Sequence, residues 1–434
     1  MFRSAPFLLS CYFVISCILI KRSFRFSVFT QVTLQVQIVF MVIPFFIAPV
    51  FLLILNMPPS PGDSFADRRL ILNGSYSNVL SSLLLIVLVA QVFYLLTVEL
   101  FLRQHEGRKV LRNMGNTWEV KLDVLYILVI FSVVTLILSL LGISNPILFA
   151  MQKLGATTTC FTFIFYKNIK ASRRSKLIFL VFGSTVTVFE TIGYGFSKAP
   201  ILALVLSFWI SIYGNNAIHR KRKITVALML SAIVPTIFLV VQTFHLGPDS
   251  NNKFEYVSSR YPHWFSPALP FFQRFDLLSS LTDAYYAGVG TWLSIGEYVR
   301  EFYSAFFWNY GFEGLNFGAR WAKEVSSKSI TGNAYTGVSL SQGPIAEGYI
   351  VGGIIGSAII TVAIVILTIF LCEKSLVSRP IAFIAVDIFA KNSLFEQGLV
   401  GNAERFTGAI KVLLIFVVVS SLLEARNINS WNRN

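Results

Sequence analysis

The chain has 434 residues, of which 55% are hydrophobic and only 13% are charged, and its formal net charge is +15. A soluble domain carries about 25% charged residues, so this composition excludes an ordinary soluble protein and predicts an integral membrane protein. A basic chain can bind nucleic acid, but here the Lys and Arg residues stand in short clusters between apolar runs, as in the positive-inside pattern. We therefore expect membrane lipids as partners and no nucleic acid.

The first 244 residues alternate apolar runs with short polar connections. A run of about 20 apolar residues is long enough to cross a bilayer. Eight spans are predicted on this basis, at 6–20, 36–55, 79–102, 122–141, 147–166, 177–194, 201–218 and 224–244. The basic residues of the first run follow it, and no small-residue cleavage site is present, so we interpret it as a retained span and not as a signal peptide.

A long polar loop at 245–344 separates these spans from three more, at 345–371, 381–399 and 409–423, and a cytoplasmic tail. The expected fold is thus an all-α polytopic membrane protein with about 11 transmembrane helices, divided into 1–244, 245–344 and 345–434. If the basic clusters that follow the odd-numbered spans all lie on one side of the membrane, that side holds more than half of the 36 Lys and Arg residues. Since such clusters stay in the cytoplasm, the long loop is predicted to be external.

The loop is rich in aromatic residues and predicts two amphipathic helices, within 267–287 and 292–308, because apolar residues recur there at steps of three and four. Helices of this kind lie along a membrane surface. Arginine binds diphosphate through paired hydrogen bonds, and histidine exchanges protons near neutral pH. The candidate residues, for which surface, headgroup-anchoring or structural roles are the alternative, are Arg260, His263, Arg274, Arg300 and Arg320.

Charged residues at membrane depth are costly and therefore informative. Lys198 stands in the short turn between the sixth and seventh spans, where it either faces the space under the loop or snorkels to lipid headgroups. Lys153 and Glu190 lie within predicted spans, and Asp387 and Lys391 are four residues apart; we interpret these as structural pairs or cavity liners. The His and Cys residues lack metal-ligand spacing, and the loop contains no Asp-x-Asp motif. We therefore expect no metal and no cofactor.

The loop ends in Ser-Gln-Gly-Pro-Ile-Ala-Glu-Gly-Tyr at 341–349, followed by Gly-Gly-Ile-Ile-Gly at 352–356. Together with the architecture, these residues resemble the bacterial oligosaccharide repeat-unit polymerases, the Wzy type that builds O-antigen and related polysaccharides. In that family a long external loop enters a span through a pattern of Pro, Glu, Tyr and Gly-x-x-Gly. The matching positions are Glu347, Tyr349, Gly353 and Gly356, while Val351 stands where the family often has Asn.

Two shorter stretches add to the resemblance. Gly-Phe-Ser-Lys at 195–198 is similar to the family's Gly-x-Ser-Arg/Lys turn and directs attention to Lys198. Arg300 and Gly311 fit an Arg-x10-Gly spacing found within the family. The arrangement of spans and loop resembles the family over most of the chain. The sequence motifs match over a few short stretches.

The resemblance implies a GT-C-like helical fold and metal-independent glycosyl transfer on the external leaflet of the bacterial inner membrane. Donor and acceptor would be polyprenyl-diphosphate-linked oligosaccharides, with a chain-length regulator and a flippase as further partners. Glu347, His263 and Arg300 would be catalytic. The diphosphate and glycan would be bound by Lys198, Arg260, Arg274, Arg320 and Tyr349.

Three alternatives stay open at this point. An O-antigen ligase or another polyprenyl-linked glycosyltransferase shares the architecture and much of the chemistry. A polysaccharide flippase or other transporter is a second alternative, although no internal repeat of the kind common in transporters is visible. A membrane assembly or sensor protein whose loop only binds is a third.

Overall fold

The part of the chain that the structure describes is made almost entirely of helices, as expected of a multi-pass membrane protein. A computed structural model describes residues 4–47, 49–50, 76–106, 118–143, 151, 154–193, 199–215, 218–230, 236, 277–290, 292–306, 320–321, 343–391 and 398–431. Within these ranges, seven helices are long and apolar enough to cross a membrane. The predicted membrane character is therefore confirmed. The count of eleven spans stays a prediction, because several predicted spans lie partly outside the described residues.

The described helices, in chain order, are α1 Ser4–Ser23, α2 Val28–Val42, α3 Tyr76–Glu106, α4 Leu122–Leu140, α5 Leu154–Ile164, α6 Arg173–Gly193, α7 Ala199–Tyr213, α8 Leu277–Ala287, α9 Ile295–Phe306, α10 Gly343–Lys374, α11 Arg379–Lys391 and α12 Leu399–Trp431. A π-helical turn, Ile43–Ile47, extends α2, and a 3-10 turn, Tyr166–Asn168, follows α5. Two short strands, β1 Val120–Lys121 and β2 Ile169–Lys170, pair in parallel.

The outer faces of the long helices are apolar, as a lipid environment requires. Leu96 on α3, Leu140 on α4 and Val181 on α6 each expose more than half of their surface. In a water-soluble protein such side chains would form large exposed apolar patches, which are uncommon. Their exposure here agrees with acyl chains as the surrounding solvent.

The chain folds as two compact units, each assembled from separated segments. The first contains residues 1–109, 246–369 and 393–404, and the second contains 110–245, 370–392 and 405–434. The described loop helices α8 and α9 thus belong to the first unit, together with α1–α3. The three-part division expected from the sequence follows chain order, whereas the compact units do not.

Helix α8 belongs to the core of the first unit and packs against α3 and the π-helical turn. Its Leu278 and Leu281 are buried in one apolar cluster with side chains from the membrane helices, such as Leu83 and Ile364. Burying a leucine side chain contributes about 1.5–3 kcal/mol, so this packing fastens part of the predicted loop to the transmembrane scaffold.

Helix α10 is two helices folded against each other, which corrects the prediction of one continuous span at 345–371. Gly353 breaks it with φ +62° and ψ −146°. The Ser357 hydroxyl donates a hydrogen bond of 2.8 Å to the Ile345 carbonyl, although twelve residues of straight helix would separate them by roughly 18 Å. We call residues 343–351 α10a and residues 354–374 α10b; α10b alone has the roughly 30 Å length that crosses a bilayer.

Two glycines allow the close approach of these halves. A Cβ atom added at Gly348 would collide with the backbone of Gly356, and one added at Gly356 would collide with the carbonyl of Gly348. Apolar composition alone cannot distinguish this folded arrangement from one long span, because both halves are hydrophobic.

Predicted span ten corresponds to α11, which has 13 residues. At 1.5 Å per residue α11 extends roughly 20 Å, shorter than the roughly 30 Å hydrocarbon core. Residues 392–397, which follow it within the predicted span, lie outside the described residues. Whether this segment crosses the membrane fully stays open.

In the second unit, segments that follow the third, fifth and ninth predicted spans meet at one place. The Trp118 indole N–H donates to the Ser375 carbonyl at 3.1 Å, and the Asn168 amide donates to the Trp118 carbonyl at 2.8 Å. The β1–β2 pairing joins the first two of these segments. This agrees with the predicted sidedness, in which all three segments are cytoplasmic.

The break in α10 predicts different costs for alanine at two adjacent glycines. At Gly353 the backbone conformation is one that glycine alone readily adopts, so Gly353→Ala should destabilise the protein by about 1–3 kcal/mol. Gly352 has a negative φ of −144° and open space around it, so Gly352→Ala should be nearly neutral. Thermal unfolding of the detergent-purified variants measures the difference. Equal melting temperatures for the two variants would contradict the break.

The sidedness predicts a labelling pattern for two cysteines in a background with the four native cysteines replaced. Gly296→Cys, at an open position on α9, should react with a membrane-impermeant maleimide in spheroplasts. Arg174→Cys, exposed at the start of α6, should react only after permeabilisation. The reverse pattern would overturn the external location of the loop.

Candidate functional site

The described loop helices form a polar and aromatic cluster on α10a in the first unit. The Gly290 backbone N–H donates to the Ile350 carbonyl at 2.8 Å, which joins the turn after α8 to α10a. The rings of Tyr285 and Tyr349 stack with centroids 5.9 Å apart at 26°. Backbone and side-chain contacts therefore both hold the loop against this half-helix.

A capping box starts helix α9. The Glu297 carboxylate accepts hydrogen bonds from the Ser294 backbone N–H at 2.8 Å and from its hydroxyl at 2.7 Å, and the Glu297 N–H lies 3.3 Å from the Ser294 hydroxyl. Such a box satisfies donors that the first helical turn leaves unpaired. These hydrogen bonds lower the pKa of the Glu297 carboxyl, so the box contributes stability at neutral pH that is lost as the pH falls through that lowered pKa.

Helix α9 buries polar groups and exposes apolar ones. Ile295, Val299 and Tyr303 lie four residues apart in succession and are 58–67% exposed, while Tyr298 and Glu301 on the other side are buried. A helix on a soluble protein shows the opposite arrangement. The exposed stripe fits the predicted interfacial helix, whose apolar face enters the lipid layer.

A helix is present within each of the two stretches predicted to form amphipathic helices, where the structure describes them. Helix α8 covers the second half of the region predicted at 267–287, and α9 covers most of 292–308. Residues 267–276 and 307–308 lie outside the described residues.

The Glu347 carboxylate is fully buried and joins three elements. Its Oε1 atom accepts hydrogen bonds from the Tyr298 hydroxyl at 2.5 Å, from the Leu399 N–H at 2.7 Å and from the Val400 N–H at 3.2 Å. Leu399 and Val400 form the first turn of α12, where the helix dipole favours a negative charge. Glu347 on α10a therefore caps α12 and binds α9 at the same time.

Gly398 makes room for this arrangement. It immediately precedes α12, and a Cβ atom there would occupy the space of the Glu347 carboxylate. Any larger residue at position 398 would therefore displace the carboxylate from the end of the helix.

Tyr298 is the hydrogen-bond donor in this contact. Burial, and then the negative charge of Glu347, raise the pKa of the Tyr298 phenol well above its ordinary value. The hydroxyl therefore stays protonated over the whole physiological pH range and donates to the carboxylate. These contacts give Glu347 a positioning role, while its role as a proton acceptor stays a prediction.

Arg320 lies in a second buried contact beside α9. Its guanidinium pairs with Glu301, whose side chain is 3% exposed, and lies 5.5 Å from the ring centre of Trp292. Trp292 in turn meets the fully buried Trp321 edge to face at 5.5 Å. A buried ion pair needs close partners to offset its desolvation, and the aromatic ring adds a cation–π contact. Arg320 is thus held in a fixed position.

The structure brings together the four predicted site residues that it describes. Glu347 and Tyr349 lie on α10a, Arg300 is exposed on α9, and Arg320 is paired with Glu301 of α9. The other four predicted site residues, which lie outside the described residues and stay predictions, are Lys198, Arg260, His263 and Arg274.

Sequence reasoning assigned no role to Tyr298, Glu301 or Gly398. The spacing of Tyr298 and Glu301, three residues apart, places both on one face of a helix, which was a usable signal. Nothing in the sequence pairs Tyr298 or Gly398 with Glu347, about fifty residues away, or Glu301 with Arg320, 19 residues away.

Glu190 in the second unit repeats the capping arrangement. It is fully buried and accepts hydrogen bonds of 2.9 Å from the Gly155 and Ala156 N–H groups at the start of α5, and one from the Ser132 hydroxyl. Asp387 accepts a 2.7 Å hydrogen bond from the Thr157 hydroxyl. Both carboxylates thus make buried hydrogen bonds of a structural kind, while the pairing of Asp387 with Lys391 stays a prediction. Lys153 and the Lys391 side chain lie outside what the structure describes.

The Glu347 contacts predict a graded loss of stability. Glu347→Ala removes a buried charged acceptor from three donors and should cost about 3 kcal/mol or more. Tyr298→Phe removes one donor and should cost about 1 kcal/mol. Tyr303→Phe, at an exposed tyrosine of the same helix, is the matched control and should change stability by less than about 0.5 kcal/mol. Thermal unfolding in detergent checks the order; an undiminished Glu347→Ala protein would contradict the anchoring role.

No protein-family model, curated protein or solved structure matches this chain. Its function is therefore proposed from the chemistry of its own residues and from the resemblance of its sequence motifs to the repeat-unit polymerases.

Proposed function

We propose that this protein is a metal-independent membrane glycosyltransferase that polymerises polyprenyl-diphosphate-linked oligosaccharide units on the external leaflet of a bacterial inner membrane. The observation that carries the proposal is the gathering of Arg300, Arg320, Glu347 and Tyr349 on or against α9 and α10a. These residues were selected from the sequence for this chemistry, and they come from segments up to about fifty residues apart.

The outward stripe of α9 suits a lipid-linked substrate. A polyprenyl chain lies among acyl chains, and its diphosphate lies at headgroup depth. Arg300 follows Val299 directly and is therefore about 100° from it around the helix, beside the exposed stripe. A helix lying in the interface would hold this guanidinium level with a diphosphate, which arginine binds through paired hydrogen bonds.

The buried contacts support catalysis by fixing the geometry. A site that transfers a sugar must hold donor and acceptor within reach of each other, and small displacements are costly. Tyr298 with Glu347, and Glu301 with Arg320, lock α9 against the rest of the first unit. The aromatic pair of Tyr285 and Tyr349 adds a flat apolar surface of the kind that stacks on sugar rings.

In the proposed reaction, a hydroxyl oxygen of the incoming unit attacks the anomeric carbon of the growing chain. The bond from that carbon to the diphosphate breaks, and the diphosphate leaves with the electron pair. Lys198, Arg260, Arg274 and Arg300 stabilise the charge developing on it, the electrostatic contribution that dominates many such reactions. The acceptor proton passes to His263 or Glu347, while Arg320 and Tyr349 contact the glycan.

Neutralising the cations tests the proposal. Arg300→Gln, Lys198→Gln and Arg274→Gln, each made singly in a polymer-forming strain, should reduce polymerisation by roughly 100-fold each, the cost typical of losing one charge-stabilising group. Arg174→Gln, an exposed cation at the start of α6, is the matched control and should leave polymer length unchanged. Gel profiles of surface polysaccharide measure chain length. Undiminished long chains in all three variants would eliminate this site.

The deletion phenotype distinguishes the proposal from its nearest rival. Loss of long chains with single units still attached identifies a polymerase. Complete loss of attached glycan would instead favour a ligase or a flippase.

A further inference from the structure

The second unit contains a cavity that the proposed function does not use. Its volume is about 140 Å³, and it lies among β1, β2, the start of α11 and the last part of α12. Four of its lining residues bear on its chemistry: Lys121, Lys170, Arg379 and Ser420. The three basic members come from the three segments that the charge pattern assigns to the cytoplasm.

The lining carries a net positive charge. Among the described residues of the lining, Glu119 is the one acidic member; it pairs with Lys170, and the side chains of both are more than half exposed. The cavity is therefore reached from solvent on that side, and three cations face one carboxylate. The Arg379 guanidinium lies 5.6 Å from the ring centre of Phe416 on α12. This contact holds the guanidinium against α12. Such a lining attracts an anion.

Two features at the inner wall select an anion with hydrogen-bonding oxygens. Ser420 is 2% exposed, and its hydroxyl has no hydrogen-bond partner among the described residues, although buried polar groups are nearly always paired. Helix α11, 13 residues long, begins at Arg379, which is itself one of the lining residues. Helix N-termini bind phosphate groups readily.

We propose that this cavity binds a phosphate group, presented by the headgroup of an anionic phospholipid in the cytoplasmic leaflet. Ser420 lies within Leu399–Leu422, a helix long and apolar enough to cross the membrane, so the cavity is at one end of a membrane helix, where headgroups lie. Anionic lipids are enriched on the cytoplasmic side and attract basic residues near the membrane. The phosphate oxygens accept from Ser420 and contact Arg379 and Lys121. The proposal is independent of the glycosyltransferase assignment.

Thermal unfolding of the purified full-length protein, titrated with short-chain phosphatidylglycerol, tests the proposal, because a ligand that binds only the folded state raises its melting temperature. Phosphatidylglycerol should stabilise the protein in a saturable manner, and phosphatidylcholine at equal concentration should not. Arg379→Gln should weaken the effect at least 10-fold and Ser420→Ala by a smaller factor. Arg174→Gln, which removes an exposed cation elsewhere in the same unit, should leave it unchanged.

The lipid-free melting temperature of each variant reports whether it folds, so a loss of binding is separated from a loss of structure. Native mass spectrometry provides a second reading, as retained phosphatidylglycerol on the wild type and less on Arg379→Gln. Equal saturable stabilisation by inorganic phosphate would support a phosphate site but would contradict a phospholipid headgroup as the ligand. Absence of any saturable effect, or equal effects in wild type and Arg379→Gln, would overturn the site.

Discussion

One buried carboxylate oxygen determines how the first unit is held together. Oε1 of Glu347 accepts hydrogen bonds from Tyr298 of α9 and from the first two N–H groups of α12. A buried charge is stable only when it is hydrogen-bonded, and the first turn of a helix has N–H groups without partners inside the helix. The helix N–H groups supply the hydrogen bonds that the buried carboxylate needs, and the carboxylate supplies the acceptor that they need. This oxygen, together with the apolar packing of Tyr298 and Phe302 on the core cluster, ties α9 to the membrane helices.

In the second unit, the first N–H groups of α5 donate hydrogen bonds to Glu190, which lies near the end of α6. In both places a glycine lies at the start of the capped helix. A Cβ atom at Gly155 would be 2.6 Å from the Glu190 Oε1 atom, and one at Gly398 would overlap Glu347. Helices that begin in an apolar environment cannot rely on water for their first N–H groups, so a buried carboxylate with a glycine beside it satisfies them.

These anchors bear on function because they place a rigid frame beside an exposed apolar stripe. Arg320 is fixed by Glu301 and Trp292, and α9 is fixed by Glu347, while Ile295, Val299 and Tyr303 remain turned outward. A lipid-linked substrate would meet a preorganised surface, which lowers the cost of orienting its reacting groups. The proposed phosphate site in the second unit relies on basic side chains and a buried hydroxyl to hold a lipid headgroup.

The sequence by itself determined the membrane character and the presence of helices within 267–287 and 292–308, because hydropathy and helical periodicity are local properties. The candidate roles of Arg300, Arg320, Glu347 and Tyr349 stay predictions from residue chemistry and from the resemblance. Only the tertiary structure decided that the predicted span at 345–371 folds back at Gly353, since both halves are rich in apolar residues and the break depends on the facing backbones of Gly348 and Gly356. The partners of Glu347 were likewise decided by the fold. They lie about fifty residues away on either side. Because almost every residue type has a backbone N–H group, the sequence does not indicate which ones bind Glu347.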